Sequence, residues 1–223
     1  MCIRDRSKAI EGLFGTKLTS EAFIATWTTT PWTLPGNKAM SINPNFDYVL
    51  IETGFNSSKK SLVVSSKLLE KTLERYEMEK FNSLGQVKGK ELEGLKCKHP
   101  FFDQESTIIS SSHVTEEIGT GFVHTAPAHG LEDYEACRDY DFDNSSLVQA
   151  DGKFAEEVPY VGGKKISEAN QVVIDILKSK NLLMSKNKFR HSFPHCWRHK
   201  TPLFFRATPQ WLSLIHISEP TRH

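Results

Sequence analysis

Two prolines four residues apart, Pro31 and Pro35, restrict the folding of this chain more than any other feature. They lie in the run TWTTTPWTLPGN, residues 26–37, with five threonines and two tryptophans. Each proline removes a backbone donor and locks φ, so neither fits the interior of a sheet. Residues 22–28 are rich in β-branched and aromatic side chains and read as a strand. That strand must end abruptly in a rigid turn crowded with hydroxyls, a surface built for contact.

The chain has 223 residues, enough for one sizeable core or a core with a small appendage. Its 28 Lys and Arg balance 27 Asp and Glu, so there is no bulk attraction to nucleic acid. Binding to a polyanion has to come from local patches such as Lys59 and Lys60, Lys164 and Lys165, or residues 178–190. Four scattered cysteines, Cys2, Cys97, Cys137 and Cys196, show no disulfide framework and fit a reducing compartment. No apolar run reaches the length of a membrane span.

Both ends read as foreign. Residues 1–6 and 212–217 back-translate to DNA strings that are reverse complements over their shared length. They resemble the transposase end used to build sequencing libraries, and residues 218–222 resemble the adapter that follows it. The natural piece is expected to be residues 7–211, cut from a longer protein.

Between these ends, strand patterns cover residues 46–52, 61–65 and 107–114, with a polar hairpin loop at 54–60, and Gly119 and Gly121 make 119–123 a tight glycine turn entering a short strand. Gly85, Gly89 and Gly94 mark a strand-and-turn region over 85–98, and 188–192 and 203–207 are candidate strands. Helical spacing appears at 67–76, 131–140 and 166–177. Strands outnumber helices without regular alternation, so the expectation is an α+β, mostly β fold: a barrel-like sheet with attached helices.

A second dense run, GTGFVHTAPAHGLEDYEACRDY, spans residues 119–140. His124 follows a short strand, and His129 and Gly130 open a helix. Glu132 and Asp133 fall in its first turn, where the helix dipole favours negative charge. Local pattern leaves two readings of Asp133, a plain stabiliser of the helix start or a receptor for a ligand's ammonium group. His124 and His129 are five apart across Pro127, which is not the spacing of a zinc protease helix. Cys196 and His199 form a C-x-x-H, half of a zinc site at most, and zinc is not expected in this piece.

TWTTTPWTLPGN and GTGFVHTAPAHGLEDY resemble the two signature segments of the editing domain of isoleucyl-tRNA synthetases, class I aminoacyl-tRNA synthetases. A third block, HSFPHCWRHKTPLFFRATPQW at 191–211, resembles the segment where the editing insertion returns to the catalytic core. The resemblance makes residues 7–190 the editing domain and covers nearly all of 7–211. Valyl and leucyl relatives typically carry arginine at the place of Thr30, so the isoleucyl branch fits better than they do.

The resemblance implies an activity. A pocket sized for isoleucine rejects valine by only about 1–3 kcal/mol, a magnitude already established for this very enzyme class. The family therefore hydrolyses valyl-tRNA(Ile) in a second, smaller pocket. By resemblance Thr28, Thr29, Thr30 and Asp133 carry the reaction, with Asp133 receiving the substrate's α-ammonium. Thr33, Asn37 and Trp32 contact or frame the substrate, Trp32 either stacking on the terminal adenine or simply packing. His124 restricts the pocket against isoleucine. Direct attack by a positioned water on the ester is expected, with no covalent nucleophile and no protein base named.

The partners implied are the 3′ end of tRNA(Ile) and its valine and isoleucine esters, with no membrane, in a cytoplasmic monomer; an organellar origin stays open. The ATP-site motifs HIGH and KMSKS do not occur, so ATP and Mg belong to the parent ligase and no cofactor to this piece. A binding module that has lost hydrolysis is the alternative from another class.

Overall fold

Period-two alternation builds the centre of the molecule. In β2 (Ala22–Ala25), β4 (Asp47–Phe55) and β5 (Ser58–Ser65), successive side chains point to opposite faces. Ile24, Leu50 and Val63 enter the larger core on one face, while Phe23, Val49, Ile51 and Leu62 enter a smaller one on the other. Both faces are therefore covered. Helix α5 (Ile166–Ser179) brings Ala169, Val173 and Leu177 to the larger core, and α2 (Leu69–Arg75) brings Leu73 to the smaller one.

The computed structural model describes residues 2–5, 7–55, 58–78, 80–187 and 192–211. Outside them lie the foreign-looking segment 212–223, loop residues 56 and 57, and most of the candidate strand 188–192. The other elements are β1 (Cys2–Asp5), α1 (Ser7–Phe14), β3 (Ala39–Ile42), β6 (Phe81–Lys88), α3 (Gly89–Leu92), β7 (Lys96–Lys98), β8 (Glu105–Ser110), β9 (Val123–Thr125) and α4 (Leu131–Cys137).

The strands form one mixed sheet in the order β6-β4-β5-β2-β1-β7-β8-β3-β9. The β2–β5 and β3–β8 ladders are parallel and the rest antiparallel. A single parallel bridge between Trp27 and Val123 joins the continuation of β2 to β9, so the sheet curls round on itself. The α+β, mostly β expectation holds, but the barrel does not close. The chain leaves β2 for the proline turn straight after that bridge, so no ladder can propagate.

Three local expectations change. Residues 2–5, set aside as foreign, form β1 and fill the gap between β2 and β7. Ladder bonds are made by backbone, so an extended segment there satisfies two open strand edges whatever its origin. The hairpin loop is tighter than 54–60, because β4 and β5 pair up to Phe55 opposite Ser58. Residues 203–207 are not a strand: flanked by Pro202 and Pro209, they attach to the body through Ala207 N–H to Ala128 O (2.8 Å).

Gly121 is required where it stands. Its φ is +84°, and an added Cβ would lie 2.5 Å from the Cβ of Ser65. Its carbonyl accepts the hydroxyl of buried Tyr48 at 2.8 Å. Gly121→Ala is expected to cost roughly 2–4 kcal/mol, from left-handed strain plus overpacking, read as a drop in the urea unfolding midpoint.

Candidate functional site

Pro31–Gly36 coil into a 3-10 turn, with Thr30 just before it and Asn37 just after. Pro31 suits the opening position, where a missing N–H costs nothing. Asn37 N–H closes the turn on Leu34 O at 3.0 Å. Three imidazoles brace it.

His99 Nε2 lies 2.9 Å from Leu34 O and donates to it, while its Nδ1 accepts the N–H groups of Phe101 and Phe102 at 3.3 and 3.0 Å. His124 sits between Asn37 and Thr33. Asn37 Nδ2 donates to Ala39 O (2.8 Å), which turns the carboxamide nitrogen toward the ring and makes His124 Nδ1 an acceptor at 2.7 Å. Nε2 then carries the proton and donates to Thr33 Oγ1 at 3.0 Å, and the Thr33 hydroxyl in turn donates to Thr30 O at 2.8 Å. His129 packs edge-on against Trp32 with ring centres 5.0 Å apart, and its Nδ1 lies 3.3 Å from Phe205 O. Burial holds the His99 imidazole down to about 4 and that of His124 to about 3, and also lowers His129. The brace works with neutral rings.

The threonines divide between surface and interior. Thr28 and Thr29 line a cavity of about 450 Å³ together with Asn170, Ile174 and Arg75. Thr28 Oγ1 accepts the Thr30 N–H at 3.1 Å, and longer hydroxyl contacts of 3.5 and 3.4 Å run from Thr28 to Thr30 and on to Thr33. A polar chain thus connects the cavity to His124 and Asn37, which are buried. Trp32 is buried too, packed edge-on against Phe204 as well as His129, so its ring serves the core.

Asp133 stands in the first turn of α4 and folds back over Gly130, where a Cβ would come within 3.0 Å of its Oδ2. That oxygen accepts the Ala126 N–H at 2.9 Å, clamping the loop that follows His124. Burial raises the Asp133 carboxyl, against the lowering pull of the Ala126 bond and His113. An arriving ammonium would restore the charged form.

The structure therefore brings Thr28, Thr30, Thr33, His124 and Asn37 into one connected chain, with Thr29 beside Thr28 on the cavity wall. Asp133 joins it through the β9 loop rather than by direct contact. Cys196 Sγ lies 3.4 Å from His199 Nδ1, and no cluster of three or more possible metal ligands occurs among the described residues. Sequence reasoning missed Arg75 and Asn170. The only signal for Asn170 was a polar residue four and seven positions before Ile174 and Leu177, on an otherwise apolar stripe of α5.

Solved editing domains share this architecture. The structure described as GlLeuRS-CP1 matches with a TM-score of 0.62 over 81% of this chain and 96% of its own, at 12% identity. The editing domain of P. knowlesi cytosolic leucyl-tRNA synthetase matches at 0.56 over 80% and 93%, at 15% identity. At such identities the likeness speaks for the fold. The chain belongs to the family described as the leucyl-tRNA synthetase editing domain, whose model matches residues 5–186. In sequence it is more similar to isoleucine–tRNA ligases: 49% identical over 189 residues to that of Nitrosomonas europaea and 42% over 206 residues to that of Coxiella burnetii. It covers 85% and 92% of itself in these matches but only 20% and 22% of the relatives, about a fifth of their length.

Proposed function

We propose that this chain is the post-transfer editing unit of an isoleucine–tRNA ligase and hydrolyses the ester of valyl-tRNA(Ile). The observation that carries the reading is the hydroxyl-walled cavity at Thr28 and Thr29, wired through Thr30, Thr33 and His124 to the loop that Asp133 clamps. Hydroxyls there hold the ester, the terminal ribose and an attacking water, and Asp133 receives the α-ammonium. Holding water and ester in place supplies most of the acceleration. Threonine hydroxyls are too weakly acidic for general-base work, and Asp133 is committed to the ammonium, so no protein base is assigned. Arg75 and Lys186 on the cavity wall supply cations for the phosphates of the tRNA 3′ end.

His124, with both ring nitrogens tied, is buried behind Thr33 and Thr30 and restricts the pocket against isoleucine by fixing where that turn stands, rather than acting as an acid or base. The parent protein would attach isoleucine to tRNA(Ile) with ATP and Mg, in the cytoplasm and as a monomer. The unit described here needs no cofactor for ester hydrolysis.

The test is loss of ester from valyl-tRNA(Ile) and isoleucyl-tRNA(Ile) mixed separately with the full chain. Selective loss of valine, at least tenfold faster than isoleucine, is expected. Equal rates would remove the isoleucyl specificity, and no loss from folded protein would leave a binding module.

A further inference from the structure

Asn170 lies far in sequence from every motif, yet it faces the threonine cavity. It sits in the first half of α5, and Ala169 beside it is buried in the larger core, so the side chain projects from a fixed backbone. Its Oδ1 accepts the backbone N–H of Trp32 at 3.0 Å. That bond does two things. It ties α5 to the first residues of the 3-10 turn, and it orients the carboxamide. With Oδ1 facing Trp32, the Nδ2 donors are left for the cavity.

The wall around Asn170 has a matching character. Ile174 and Leu177 continue the same stripe of α5 along the cavity, one and two turns on. Thr28 and Thr29 line the same cavity, with Arg75 and Lys186 as cations on its wall. A ligand filling this space meets an apolar residue of the helix headed by one amide donor, with threonines and cations around it. That combination suits an aminoacyl ester whose aliphatic side chain and anionic nucleotide end share one cavity.

We infer that Asn170 is a substrate-binding residue of the editing cavity, its Nδ2 donating to an oxygen of the bound aminoacyl ester while Ile174, one turn on, borders the aliphatic side chain. The inference rests on the function proposed above. It adds a third wall, supplied by α5, to the two that the motifs define.

Asn170→Asp separates the two jobs of the side chain, because a carboxylate still accepts the Trp32 N–H but has no donor for the cavity. It is expected to lower kcat/KM for valyl-tRNA(Ile) at least tenfold with the thermal midpoint within about 2 °C of wild type. Hydrolysis within twofold of wild type would overturn the inference. A measurement on the unmutated chain covers the case of a variant that does not fold. A non-hydrolysable valyl-adenosine, with an amide in place of the ester, is titrated into isotope-labelled protein. The Asn170 side-chain amide signals are expected to shift together with those of Thr28 and Thr29. If the backbone signals move and Asn170 does not, the inference falls and the functional reading survives. If the chain neither hydrolyses valyl-tRNA(Ile) nor responds to the analogue, the functional reading falls and takes the inference with it.

Discussion

Asp133→Asn is expected to abolish hydrolysis of valyl-tRNA(Ile), by roughly 100-fold or more, while leaving the unfolding midpoint in place. The carboxylate has two jobs, one per oxygen. Oδ2 accepts the Ala126 N–H at 2.9 Å and holds the loop after His124. In the function proposed above, the other oxygen is the one offered to the substrate's ammonium. Asparagine keeps an acceptor for Ala126 and loses the charge. Removing one partner of a desolvated charge pair costs about 2–5 kcal/mol, which accounts for the expected loss of rate. Asp133→Ala should behave differently, since it also orphans the Ala126 N–H and gives up about 1–3 kcal/mol of stability. Single-turnover deacylation alongside urea melts of both variants decides the point. A fully active Asn variant would leave Asp133 as a loop clamp only.

The second large effect is loss of stability in mild acid. His99 and His124 are held to about 4 and about 3 in the folded chain against an ordinary 6.5. The causes are geometric as well as dielectric. His99 Nδ1 faces two backbone N–H groups and His124 Nδ1 faces an amide N–H, so a proton on either nitrogen would meet a donor. Between the folded and unfolded values the unfolded chain binds more protons, and stability therefore rises with pH. The contribution is fully present above about 6.5 and is lost as pH falls toward 4 and then 3. At pH 5 each ring forfeits about 2 kcal/mol, so the pair should remove roughly 2–4 kcal/mol between pH 7.5 and 5. Asp133 acts in the opposite sense, because its raised value means that acid relieves a buried charge. It is one group against three, since burial lowers His129 as well. Denaturant melts at the two pH values test this, and a midpoint unchanged at pH 5 would show that the imidazoles are not the brace described.

The local chemistry of the site was largely legible in the sequence. Pro31 and Pro35 forced a rigid turn after β2, and the turn is there as a 3-10 coil. Hydroxyls at fixed spacing around it, a glycine where the backbone must go left-handed and an acid in the first turn of α4 are all statements about residues within a few positions of one another. Short runs of β-branched and apolar residues also announced the strands, since burial of both faces of β4 and β5 follows from side chains apolar on both sides.

Contacts across large sequence separations settled everything else. Nothing local indicates that Asn37 and Thr33 close on His124 from 87 and 91 residues away, or that this pairing fixes the ring's tautomer and buries it. Nothing local places Asn170 against Trp32, 138 residues distant. The curl of the sheet hangs on one bridge between Trp27 and Val123. Segment 2–5 enters the sheet because two strand edges need backbone partners, a demand that side-chain pattern does not encode. Residue order alone was enough to single out the threonine turn and the acid at the start of α4. The packing of α5 against the proline turn was decided by the tertiary structure, since only a folded chain brings Asn170 and Ile174 to the same cavity as Thr28 and Thr29.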